Sequence, residues 1–144
     1  MAQETKYKTE PLKVWDEVKR LREKYFQEYV DAKKKGGFRA LICAGPFTSW
    51  VAGFGEDVYL MSLEPLAGNT AFHSDFGLKC LEACEAYGFG RELCGYSKNV
   101  WGAMMLNKFI MPDGTILDEW PVPDFVTSTS YHNCHAKWGQ FIGE

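Results

Sequence analysis

The sequence predicts an α/β domain built on a mainly parallel sheet, and three observations carry that expectation. Short strand-like runs alternate with stretches of helical spacing. A length of 144 residues is enough for one hydrophobic core without disulfide staples. An aromatic fraction of 15% beside a charged fraction of 24% belongs to a folded chain rather than a disordered one. One domain over residues 1–144 follows, opening with a helical segment of about 1–37.

Pro11 opens the first helix, in which Leu12, Trp15, Val18, Leu21, Tyr25 and Tyr29 recur at three- and four-residue spacing until Gly36-Gly37 closes it. Phe38 to Cys43 reads as a strand. Ala44-Gly45-Pro46 and a small helical segment through Trp50 and Ala52 come next, ending at Gly53 and Gly55. Val58-Tyr59-Leu60-Met61 reads as a second strand, ended by Glu64-Pro65 and a loop at Gly68-Asn69. Helical spacing resumes from Phe72 to Tyr87, with Phe76, Cys80, Ala83 and Cys84 on the same stripe, and Gly88-Phe89-Gly90 breaks it. A further helix after Cys94 turns Val100, Trp101, Met104 and Met105 inward. Phe109 to Met111 and Thr115 to Leu117 flank a turn at Pro112-Asp113-Gly114. The β-branched run Phe125 to Thr129 makes a last strand, and a helix starts at Asn133. Such a helix should lead into another strand, so its abrupt stop at Glu144 suggests a subunit that is cut short or completed by a partner.

A formal net charge of -3 gives no electrostatic reason to propose nucleic acid. The basic cluster Lys33-Lys34-Lys35 lies at a helix end, where it complements the helix dipole. The opening residues hold no apolar leader, and no apolar run is long enough to span a bilayer. The expectation is a cytoplasmic protein without a membrane partner. In a reducing compartment five cysteines are ligands, nucleophiles or core residues rather than a disulfide framework.

Cys80 and Cys84, one turn apart on an apolar stripe, are read as core. Cys43, Cys94 and Cys134 lie at segment ends among Gly, Ser, Asn and His neighbours. Cys43 and Cys134 emerge at the carboxyl ends of strands, where parallel sheets bind ligands. Spacing alone shows no compact metal-binding pattern.

Residues Leu78 to Lys98, with Gly88-Phe89-Gly90 leading into Leu93-Cys94-Gly95-Tyr96-Ser97-Lys98, resemble a segment of the benzoyl-CoA reductase and 2-hydroxyacyl-CoA dehydratase family. Cys43-Ala44-Gly45-Pro46 with Ala52 and Gly55 is similar to its first cysteine run. Pro123-Asp124-Phe125-Val126 with Cys134 and Lys137 resembles its third strand and following turn. The resemblance implies a flavodoxin- or Rossmann-like domain in an anaerobic, heteromeric iron–sulfur enzyme, either an oxidoreductase or a lyase. It implies a [4Fe-4S] cluster held through Cys43, Cys94 and Cys134, and radical reduction of an acyl-CoA substrate, slightly favouring an aromatic one. It also implies a homologous partner subunit and an ATP-hydrolysing iron–sulfur activator that supplies low-potential electrons. Substrate contacts would fall to Ser97, Lys98 and His73. The chain departs from the family in having Gly95 for Ser, Lys98 for Arg, and Gly45-Pro46 one residue early.

His73 also reads as a helix-start histidine bonded to Asp75. His132-Asn133-Cys134-His135 reads as a zinc corner, a thiol with a base, or a cap made by Asn133. Three function classes stand: a cluster-bearing acyl-CoA reductase or dehydratase subunit; a truncated α/β partner module without a cluster; and a cysteine-dependent transferase or hydrolase using Cys134 with His132 or His135.

Overall fold

Helix α1 (Trp15–Asp31) forms where the spacing predicts it and tightens into a 3-10 turn over Ala32–Lys35, which Gly36 closes at φ 75°. The computed structural model describes residues 10–43, 49, 51, 53–129 and 133–143, and Pro11 precedes the helix rather than opening it. Phe26 and Tyr29 are buried. Two polar anchors fix this half of the helix to the sheet: the Ser62 N–H donates to the Tyr25 hydroxyl at 2.7 Å, and the Arg39 guanidinium donates to the carbonyls of Tyr29 and Val30 at 3.0 and 2.6 Å. The other half of the predicted stripe is not covered. Leu12, Trp15, Val18 and Leu21 are exposed, because α1 extends past the body that its last turns pack on.

Strand β1 (Phe38–Ile42) is the centre of a three-stranded parallel sheet, between β2 (Val58–Ser62) and β5 (Phe125–Thr127). Leu41 lies opposite Met61 on one side and Val126 on the other. Side chains alternate across a strand. Leu41 therefore enters the larger core with Met61, while Ala40 and Ile42 enter a smaller core with Val51. Coverage of both faces is what a parallel sheet requires, and the predicted fold class of a parallel sheet flanked by helices is the one observed. A separate antiparallel pair, β3 (Phe109–Ile110) and β4 (Ile116–Leu117), surrounds the predicted turn.

Residues 63–72 correct the sequence reading. They form helix α2 (Leu63–Phe72) rather than a strand end and loop. Pro65 falls in the first turn, where its missing N–H costs nothing. Asn69 is held inside, its amide donating to the Ile110 carbonyl at 2.9 Å. Helix α3 (Ser74–Tyr87) buries Phe76, Cys80 and Cys84 as predicted but leaves Tyr87 exposed, and Phe72, expected on the same stripe, instead ends α2 and is exposed. Gly88 ends it at φ 114°, and Phe89 returns to stack on Trp101 of helix α4 (Gly95–Met105) at 4.8 Å. Val100 and Trp101 are buried, whereas Met104 and Met105 are only partly so. Helices α3 and α4 touch backbone to backbone at Gly102, where a Cβ would lie 2.1 Å from the Cys80 carbonyl oxygen. Helix α5 (Asn133–Gly143) begins at the predicted residue. Among the described residues no helix is long and apolar enough to cross a membrane. The small helical segment expected at Trp50 and Ala52, the Ala44-Gly45-Pro46 run and His132 lie outside the described residues, as does the Asn133 side chain.

Candidate functional site

The chain leaves β1, crosses to β2 on one side, then returns past β1 to reach β5 on the other. Such a reversal of strand order marks the usual ligand position in open α/β sheets, outside the carboxyl ends of the strands. Three segments converge near that edge. Beyond β2, Ser62 leads into α2, whose first turn carries Glu64. Beyond β5, Ser128 precedes α5, whose first turn carries Cys134. Cys94 is the residue from which α4 starts.

A cavity of about 290 Å³ lies among them, lined by Glu64, Cys94, Tyr96, Ser97, Cys134, His135 and Trp138. Two of the three predicted metal ligands, Cys94 and Cys134, thus share one space, and both are half-buried. Each belongs to the N-terminal end of a helix, where unpaired N–H groups and the helix dipole favour negative charge.

Cys43 is placed apart from this cavity. Its N–H donates to the Thr127 carbonyl at 2.9 Å, and its thiol is fully buried and hydrogen-bonded with Ser128. Burial pushes the thiol up to about 11, against a smaller opposing effect from Ser128. Helix α5 lies directly over it at Gly139. A Cβ there would be 2.3 Å from Ser128 Cβ and 3.8 Å from Cys43 Sγ, so only glycine permits that approach. Among the described residues no group of three or more His, Cys, Asp or Glu side chains is arranged to hold a metal ion. Paired thiols suit a soft metal centre, but a three-cysteine ligand set is not assembled in this arrangement.

Cys80 and Cys84 are fully buried, with burial raising their thiols to about 12 and about 11. Cys84 Sγ also donates to the Lys98 carbonyl at 3.2 Å.

The predicted substrate contacts separate. Ser97 lines the cysteine cavity; it is 2% exposed and its Oγ has no hydrogen-bond partner among the described residues. Lys98 points into the protein instead. Its ammonium group is 3.3 Å from Glu85 Oε1 and lies 3.5 and 3.4 Å from the carbonyls of Gly90 and Arg91, so it ties the turn after α3 to α4. His73 lines a different hollow beside Gly114 of the β3–β4 turn, with Phe72 and Asp75, and makes no side-chain cap to α3.

Glu64, Tyr96 and Trp138 join the site only through the fold, and His135, one of the two histidines the sequence offers as a base for Cys134, lines the same cavity. His135 Nε2 stands 3.7 Å from Glu64 Oε1. The sequence signal for Glu64 was misread, because Glu64-Pro65 looks like a strand terminator and is in fact a helix first turn. Compared with known proteins, the chain matches no family model and no curated protein.

Proposed function

We propose that this chain is the iron–sulfur subunit of an ATP-dependent acyl-CoA reductase or dehydratase. It acts on an acyl-CoA thioester, preferentially an aromatic one, with a homologous partner subunit and an ATP-hydrolysing activator. One observation supports this reading above the sequence resemblance: Cys94 and Cys134, from separate elements, line one cavity near the carboxyl edge of the sheet. A [4Fe-4S] cluster bound there would supply low-potential electrons and a Lewis-acidic iron.

The chain's own residues have definable parts in that site. Cys94 and Cys134 are its thiolate ligands. The N-terminal ends of α4 and α5 favour the negative charge that a thiolate-bound centre carries. Trp138, 3% exposed, forms an apolar wall that keeps water away. Cys43 becomes a ligand only if its Ser128 contact opens and α5 lifts; otherwise the partner supplies what is missing.

The test is anaerobic reconstitution of the full chain with iron and sulfide, alone and with a candidate partner subunit. The expected result is brown protein with about four irons per site and an EPR signal that changes when an acyl-CoA is added. Colourless protein in the partner's presence rejects the reading.

A second reading rests on the Glu64 carboxylate beside His135 in the same cavity. That arrangement could orient the imidazole to activate the Cys134 thiol for acyl transfer or hydrolysis. It predicts burst release of 4-nitrophenol from 4-nitrophenyl acetate, abolished in Cys134→Ala and His135→Ala. No burst removes it.

A further inference from the structure

The first turn of α4 has the parts of an oxyanion site. The first intrahelical bond of α4 runs from the Lys98 N–H to the Cys94 carbonyl at 3.1 Å. The N–H groups of Gly95, Tyr96 and Ser97 precede it and have no acceptor within the helix. Cys94 makes no side-chain hydrogen bond to cap them. A helix start alone is common, but here a second feature points the same way. Ser97, at 2% exposure, lines the cavity, and its buried Oγ has no hydrogen-bond partner among the described residues. A buried hydroxyl left unsatisfied costs about 1–3 kcal/mol, and a ligand oxygen in the cavity would satisfy it. Lys98, the nearest buried cation in sequence, is committed to Glu85 and two carbonyls, so it is not turned to the cavity.

We propose that the Tyr96 and Ser97 N–H groups and the Ser97 hydroxyl bind a small oxyanion, of the carboxylate or phosphate class, inside the cysteine cavity, with the Gly95 N–H at its rim. The site deepens the function proposed above, since it gives an acyl substrate's oxygen a place beside Cys94 and Cys134. Its chemistry does not need iron. Helix-end amides direct positive potential at the ligand, as in other anion sites at helix N-termini. Glu64, which lines the same cavity, opposes this; its carboxylate is 3.7 Å from His135 Nε2 and about half exposed. A carboxylate in the lining therefore suits the site to one small oxyanion rather than to a polyanion.

The test uses the full chain, metal-free and reduced, titrated separately with sodium acetate and with inorganic phosphate at constant ionic strength. Backbone 1H–15N spectra report the shifts, and tryptophan fluorescence reports Trp138. Saturable shifts centred on Gly95, Tyr96 and Ser97 are expected. Ser97→Ala should weaken binding about fivefold, the effect of one typical hydrogen bond. Glu64→Gln should strengthen it severalfold, since a like charge is removed; a merely structural role for either residue gives no such opposite pair. Tighter acetate assigns the site to an acyl or carboxylate group, and tighter phosphate to a phosphorylated ligand. Non-saturating shifts for both anions, or equal affinity in Ser97→Ala and the parent chain, overturn the proposal. The outcome is independent of iron: a chain that binds anions but no iron sinks only the cluster, and one that binds iron but no anion sinks only this site.

Discussion

At the scale of the residue, burial sorts the five cysteines into two kinds. Cys43, Cys80 and Cys84 are sealed, with thiols raised by burial to about 11 or 12, whereas Cys94 and Cys134 are half-buried on a shared cavity. A thiol-disulfide reagent at neutral pH should modify two thiols quickly and the other three only on unfolding, because thiolate and access both govern the reaction. Peptide mapping should place the fast pair at Cys94 and Cys134. Fast labelling of Cys43 would mean that α5 does not cover it. Half of this sorting was legible in the sequence: helical spacing marks Cys80 and Cys84 as core. The seal over Cys43 was not legible, because it depends on Gly139 letting a distant helix approach. Lys98 teaches the same lesson. It follows a motif cysteine and reads as a substrate contact, yet its ammonium group is spent on the turn at Gly90 and Arg91. Lys98→Met should lower stability by roughly 2–3 kcal/mol, less than a fully buried pair because Glu85 is partly solvated. Unchanged chemical denaturation together with impaired substrate binding would return Lys98 to the site.

At the scale of the element, α1 and α2 mark where local pattern succeeds and fails. The three- and four-residue spacing located α1, but a stripe cannot tell how far the helix extends past its support. Leu12 and Trp15 are accordingly exposed. Helix α2 was hidden by Pro65 and Gly68-Asn69, three residues that usually break helices. Proline is harmless in a first turn, and Asn69 is fixed by the Ile110 carbonyl, a tertiary contact that no local pattern contains. The α3–α4 packing depends on a single missing methyl group. Gly102→Ala should cost about 1–3 kcal/mol or more, since the new Cβ meets backbone at Cys80 rather than a movable side chain.

The start of β5 is held by Asp124, whose carboxylate accepts the Arg39 N–H at 2.7 Å and pairs with Lys33. The Lys33 hydrogen bond, then the Arg39 N–H, hold this carboxyl below its ordinary range. A carboxyl lowered by folding stabilises above its unfolded pKa, and the gain is lost as pH falls through the folded value. Stability should therefore decline below about pH 4. Asp124→Asn should be about 1 kcal/mol less stable near neutrality, a modest figure for a pair open to solvent, and should show a shallower acid decline. Identical pH slopes in the two proteins would contradict this role.

At the scale of the whole molecule, alternation of strands and helices was enough to give the parallel sheet and its covered faces. It did not give the order β2-β1-β5. Nor did it give the way α2, α4 and α5 bring Glu64, Cys94, Ser97, Cys134 and His135 to one cavity. The sequence reading chose Cys94 and Cys134 from their segment-end positions, and the fold joins them. It also chose Cys43, which emerges from the correct strand end but turns under α5. A strand-end position specifies the edge of the sheet, while helix packing decides which side chains remain open to a ligand.

The central claim is that Cys94 and Cys134 act together as metal ligands, and bound iron after anaerobic reconstitution tests it most directly. Iron and sulfide should be measured in the parent chain, Cys94→Ala, Cys134→Ala and Cys80→Ala, each with the same partner subunit present. The account predicts cluster-level iron in the parent and in Cys80→Ala, and loss of the cluster in both Cys94→Ala and Cys134→Ala. Equal iron in all four proteins, or none in the parent, would contradict it.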